Sequence, residues 1–167
     1  MKTLLKISST FLLLFFITAA NAQQTPKQLK AQQKAASIIH KINEQHFTFI
    51  AQYAQPLRGS QKYLTSEYDL HIKKDSVTAW LPYFGRVYMD VPYGATDDGI
   101  KFTSTKFDYK ITEKKKGGWT ITIILNDVRR TQKLSLDVFT NGSATLQAVS
   151  NSRDAIFFTG YIKDDDK

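Results

Sequence analysis

No cysteine occurs anywhere in the chain. That excludes disulfides, thiolate metal sites, iron–sulfur clusters and cysteine nucleophiles, so the fold must be held by packing. Histidine is scarce. His40, His46 and His71 are the three present, and no two stand at the i, i+4 spacing of a zinc-binding helix. No H-E-x-x-H run, G-x-S-x-G elbow or P-loop occurs, so metalloprotease, α/β-hydrolase and nucleoside-triphosphate chemistries lack their signatures. A D-x-D-x-D-G calcium loop with its glutamate is missing too. No apolar run approaches the ~20 residues of a membrane-spanning helix, and there is no internal repeat or low-complexity linker.

What is present begins with an export signal. Lys2 and Lys6 precede the apolar stretch Phe11–Ile17, and Ala20-Asn21-Ala22 has the small-x-small pattern of a cleavage site. Cleavage after Ala22 predicts a periplasmic or secreted protein with no membrane span afterwards. Removing 22 of 167 residues leaves 145, the size of one domain. The formal charge of +8 falls to +6 when the two leader lysines go. The basic residues are scattered through apparent turns: Lys73-Lys74, Lys114-Lys115-Lys116 and Arg129-Arg130. Solvated turns account for that distribution, and nucleic acid is not an expected partner.

Residues 23–45 read as a polar leader and a helix. Ala31, Ala35, Ile38 and Ile42 recur at helical spacing from Pro26 or Lys27 to about Asn43. After His46 the period changes to two. Phe47, Phe49, Ala51 and Tyr53 form one strand face up to Pro56, with a loop expected over Leu57–Ser66. Tyr68, Leu70 and Ile72 lead through the turn Lys73–Ser76 to Val77, Ala79 and Leu81. Further on, Ile100–Ile111 reads as one or two strands, Lys116-Gly117-Gly118 as a tight turn and Trp119–Leu125 as its return. Leu134, Leu136 and Val138 alternate next, and Asn141-Gly142 is a strong hairpin signal because both residues tolerate positive φ. Ile156, Phe158 and Gly160 share the last strand face, and Asp164–Lys167 is a polar tail.

The expected fold is therefore mostly β. One N-terminal helix precedes a β domain over 46–163, an antiparallel meander of about seven or eight strands. The sheet is either barrel-like or strongly curled, with the helix over one opening or face.

The stretch from Leu81 to Gly94 stands apart, with two prolines, two glycines, three tyrosines and an arginine. Its Leu81-Pro82-Tyr83-Phe84-Gly85-Arg86 run resembles DUF4251, a family of exported Bacteroidetes proteins of unknown function. So do Gly99–Phe102, Gly118-Trp119, Gly142–Leu146 and Arg153 with Phe158-Thr159-Gly160. The likeness runs from about Phe47 to Ile162. It implies a β-rich fold and an envelope or secreted location, and it brings no catalytic residues.

The candidate ligand residues are Tyr83, Phe84, Arg86, Tyr88 and Tyr93. Rings beside a guanidinium suit sugars, aromatic ligands or carboxylate-bearing peptides, through stacking and paired hydrogen bonds. Alternatively Arg86 pairs with Asp90, Asp97 or Asp98 and the rings pack over a barrel end, with Gly85 and Gly94 supplying special backbone angles. Asp90, Asp97 and Asp98 form the nearest thing to a carboxylate cluster, for acid–base hydrolysis or calcium, although Asp97-Asp98-Gly99 also fits a plain turn. Trp80 and Trp119 pack in the core or line a barrel. Asp75-Ser76-Val77 matches a short O-glycosylation pattern on Ser76.

The resulting expectation is a non-enzymatic exported binding module with no cofactor and no metal. Its partner is a small hydrophobic molecule, a glycan or an envelope protein. The alternatives are an envelope interaction protein without a small-molecule site and, behind both, a carboxylate-based hydrolase.

Overall fold

The computed structural model describes residues 25–88 and 99–164. The expected export signal, Asp90, Tyr93, Gly94, Asp97 and Asp98 lie outside them. The described chain is a helix, α1 (Pro26–Glu44), followed by nine strands. These are β1 (Phe47–Pro56), β2 (Lys62–Ile72), β3 (Val77–Leu81), β4 (Ile100–Ser104), β5 (Phe107–Glu113), β6 (Trp119–Leu125), β7 (Thr131–Val138), β8 (Ser143–Ser150) and β9 (Ile156–Ile162).

The chain divides after Gln33 into two units. The first contains the start of α1. Pro26 fits the first turn because its missing N–H would have no helical partner there. The Thr25 N–H donates to Gln28 Oε1 at 3.0 Å, while the Thr25 carbonyl accepts from the N–H groups of Gln28 and Leu29.

The second unit, from Lys34 onward, contains the rest of α1 and the whole sheet. The helix ends when Gln45 takes a left-handed φ of 50°. His46 N–H then donates to the Lys41 carbonyl and Gln45 N–H to that of Ile42, which satisfies the last turn and aims the chain into β1.

The strand order is β4-β3-β2-β1-β9-β8-β7-β6-β5, and every neighbouring pair is antiparallel. Eight antiparallel steps leave the two edge strands, β4 and β5, pointing the same way. Only Thr105 and Lys106 separate them. They are therefore two halves of one bent strand, the first half paired with β3 and the second with β6. The result is a nearly closed, barrel-like sheet. The expected strand number was seven or eight, and the ninth comes from this bend.

Burial shows the bend residue by residue. Ile100, Phe102 and Ser104 point inward, then Phe107, Tyr109 and Ile111 do so, with Thr105 and Lys106 both exposed between the sets. The alternation slips by one, as at a β-bulge. A second slip lies in β1, where the pairing shifts between Ala51 and Tyr53. It corrects the expected strand face: Tyr53 is exposed and Ala54 takes the inward place. The loop expected to reach Ser66 also ends earlier, since β2 starts at Lys62.

Inside, Phe49, Phe158, Leu70, Leu81, Ile121, Ile123, Leu134, Leu136 and Leu146 are fully buried. Ile38 and Ile42 of α1 join this core, and Tyr109 Oη donates to the Ile42 carbonyl at 3.0 Å. The helix end thus sits at the end of the barrel where β1 begins. Each buried Leu, Ile or Phe contributes roughly 1.5–3 kcal/mol of transfer free energy. Large side chains pack the inside of the sheet, and in a chain without cysteine this packing carries the stability.

Candidate functional site

At the barrel end opposite α1, three segments meet: the β1–β2 loop, residues 82–88 after β3, and the β8–β9 link. The second and third are stitched together. Val87 and Arg153 form a bridge, Tyr88 N–H donates to the Ser152 carbonyl at 2.8 Å, and Asp154 N–H donates to the Arg86 carbonyl at 3.0 Å. Tyr83 locks this junction. Its hydroxyl lies 2.9 Å from the carbonyl oxygens of both Arg86 and Asp154, and the Arg153 guanidinium carbon sits 4.7 Å from the centre of its ring. Burial pushes the Tyr83 phenol up to about 12, with the carboxylate of Asp154 adding to the shift and the Arg153 charge opposing it. The neutral phenol keeps its proton for those carbonyls.

Gly85 is needed here for space. A Cβ on it would fall 2.3 Å from the Tyr83 hydroxyl, and its φ is not left-handed. The expected role as a supplier of unusual backbone angles is therefore replaced by close approach.

Of the five candidate ligand residues, Tyr83 faces the core and is bound into the structure. Phe84 is 40% exposed and Tyr88 58% exposed, and Arg86 is also exposed. Tyr93 lies outside the described residues. Lys62 Nζ sits 5.3 Å from the centre of the Phe84 ring. The Tyr88 hydroxyl donates to Asp154 Oδ1 at 2.5 Å, which raises its pKa, and the charges of Arg58 and Arg86 reach it and oppose the shift. The rim thus presents Phe84 and Tyr88 among Arg58, Lys62 and Arg86. On the outer face of β1 and β2, Tyr53 and Tyr63 pack edge to face with centroids 5.3 Å apart.

The sequence reading missed Arg153 and Asp154 as partners of this stretch. They lie far along the chain, and only the β8–β9 link brings them to Tyr83. Trp80 is corrected as well. Its neighbours Ala79 and Leu81 point inward, so Trp80 lies on the outer face, 51% exposed, with Lys101 Nζ 4.1 Å from its ring centre. Trp119 is half-buried against the core. Ser76 ends the four-residue β2–β3 link Lys73–Ser76, half-buried, and its hydroxyl donates to Asp75 Oδ1 at 2.9 Å. Among the described residues no group of three His, Cys, Asp or Glu side chains is placed to hold a metal ion.

Among the described residues this geometry defines a class: a small, nearly closed barrel-like sheet with a helix, large side chains packed inside it and an aromatic, basic rim. The DUF4251 family, described as a domain of unknown function, matches residues 29–162, and the chain belongs to it. A solved structure of a DUF4251 family protein from Bacteroides eggerthii DSM 20697, at 1.95 Å resolution, is similar. Its TM-score is 0.61 at 15% sequence identity, over 77% of this chain and 86% of that one, which is a likeness of fold. No curated protein matches the chain.

Proposed function

We propose that the protein is an exported, non-catalytic binding module whose ligand lies across the rim at Phe84, Arg86 and Tyr88. The observation that carries this reading is the pairing of exposed rings with cations at one end of a barrel-like sheet. The large side chains packed inside the sheet favour a ligand held on the surface over one enclosed in a cavity. Exposed rings offer flat apolar faces to sugar rings, and guanidinium groups take carboxylates in two parallel hydrogen bonds. Together they suit a glycan bearing acidic groups. Tyr83, Arg153 and Asp154 belong to the support beneath: they fix the backbone that presents the three ligand residues.

The test is a titration of the mature protein with uronic-acid oligosaccharides and with neutral ones, followed by amide chemical shifts. The expected result is saturable shifts around Arg58, Lys62 and Phe84–Tyr88 with the acidic ligands. Tyr88→Ala and Arg86→Ala should each weaken binding about tenfold without changing Tm much. Shifts that map elsewhere, or none with any oligosaccharide, would remove the reading.

A further inference from the structure

The aromatic rim continues over the start of β2 onto the outer face of the sheet. β2 pairs with β3 only from Asp69 to Ile72, so its first residues lie beyond the end of β3, and Lys62 meets Phe84 there instead. Lys62 and Tyr63 are consecutive, and they serve two surfaces. Lys62 Nζ sits 5.3 Å from the centre of the Phe84 ring, on the rim. Tyr63 stands on the outer face, paired with Tyr53 of β1, and at 67% it is the most exposed large apolar side chain among the described residues. The two tyrosine rings meet edge to face with centroids 5.3 Å apart.

The pair differs from scattered surface rings in three ways. First, the slip in β1 creates it. Without the shift between Ala51 and Tyr53, the alternation of Phe47, Phe49 and Ala51 would turn Tyr53 inward, away from Tyr63. Bulges of this kind re-aim side chains beside binding sites. Second, the loop between the two strands is braced. The Gln55 side-chain amide donates to the carbonyls of Pro56 and Gly59, each at 3.2 Å, and the loop carries Arg58, whose charge reaches Tyr88. Third, the pair is narrow and uncharged. Tyr53 has exposed Thr159 as its neighbour on β9, and among the described residues no lysine or arginine lies over either ring. The exposed parts of the two side chains amount to about one whole tyrosine, on the order of 200 Å². A stable protein interface takes about 800 Å² from each partner, whereas one flat ring face matches one sugar.

We propose that the binding surface is a two-part track for an extended oligosaccharide in which acidic and neutral sugars alternate, an inference that rests on reading the rim as the acidic-glycan site. The acidic sugar lies at Phe84, Arg86 and Tyr88, where a guanidinium takes its carboxylate. The chain then crosses Lys62, and an uncharged sugar stacks on Tyr63. Tyr53 is a positioning residue. Its edge-to-face contact fixes the Tyr63 ring, so less freedom is lost when the sugar docks. The rim selects an acid, and the outer pair adds selection for chain length and for a neutral neighbour.

The experiment is a titration of the mature protein with hyaluronan oligosaccharides, in which glucuronic acid and N-acetylglucosamine alternate, as the disaccharide and as the hexasaccharide. Amide chemical shifts report the site. The hexasaccharide should bind about tenfold tighter than the disaccharide, with shifts at Tyr53 and Tyr63 that the disaccharide does not produce. Tyr63→Ala should abolish that gain and leave the disaccharide affinity unchanged, while Tyr63→Phe, which keeps the ring face, should retain it. Circular dichroism of each variant separates lost binding from lost folding. Equal affinity for both lengths, with shifts confined to the rim, would overturn the track and leave the rim site standing. Equal weakening of both ligands by Tyr63→Ala would show a structural role and overturn it too. No binding at either length would remove the rim reading and the track together.

Discussion

Gly160 lacks a side chain, and that lets β9 lie against the slip in β1. A Cβ there would come within 1.8 Å of the Ile50 carbonyl oxygen and 3.1 Å of Ala51 Cα. Both obstacles are backbone, so no rotamer change relieves them. Gly160→Ala should therefore lower stability by about 3 kcal/mol, seen as a fall in the denaturant midpoint, and an unchanged midpoint would mean that β1 and β9 part easily. The sequence placed Gly160 on the inward face but gave no reason for a glycine. The reason is its pairing with Ala51, which is a matter of register. Tyr83 shows the same limit. Its local context marked it as a ligand residue, while its contacts with Arg153 and Asp154 make it a lock.

At the scale of elements, the bend between β4 and β5 is what nearly closes the sheet. Asp127, in the β6–β7 connection, holds it. Its carboxylate accepts from the N–H groups of Thr105 and Lys106 at 2.9 and 3.1 Å and from the hydroxyl of buried Ser104. The Ser104 hydroxyl and those N–H groups keep the Asp127 carboxyl below its usual range. A carboxyl with a depressed native pKa contributes stability above its unfolded value, near 4. That stability is lost as pH falls from there through the native value. Asp127→Asn should lower Tm at neutral pH and narrow the gap to wild type as the buffer is acidified below about 4. A constant gap down to pH 2 would show that the carboxylate does not hold the bend. Sequence periodicity read Ile100–Ile111 as one or two strands, and both descriptions apply. The alternation marks each half, but nothing local shows which neighbour each half takes.

For the whole molecule, base is an expected route to unfolding, because buried phenols must ionise. Tyr83 is raised to about 12 by burial, and burial raises Tyr109 as well. In the unfolded chain both ionise near 10. The native state thus holds protons that the unfolded state releases, so this stability is complete below pH ~10 and is lost as pH rises through about 12. Tyrosinate absorbance and circular dichroism should show part of the eight tyrosines ionising only as the fold is lost. Titration of all of them near pH ~10 with the β signal intact would contradict it.

The sequence alone determined the helix, the hairpins with their Gly117-Gly118 and Asn141-Gly142 turns, and the mostly β class. Each of these rests on spacing within a few residues, where periodicity and turn chemistry act directly. Family membership was also legible, through the Leu81–Arg86 run. Tertiary structure alone decided that the sheet nearly closes, that Trp80 and Tyr53 face outward, and that Arg153 lies on Tyr83. Those outcomes depend on register between strands far apart in the chain. A slip of one residue turns a strand over, and no local pattern shows where a slip will fall.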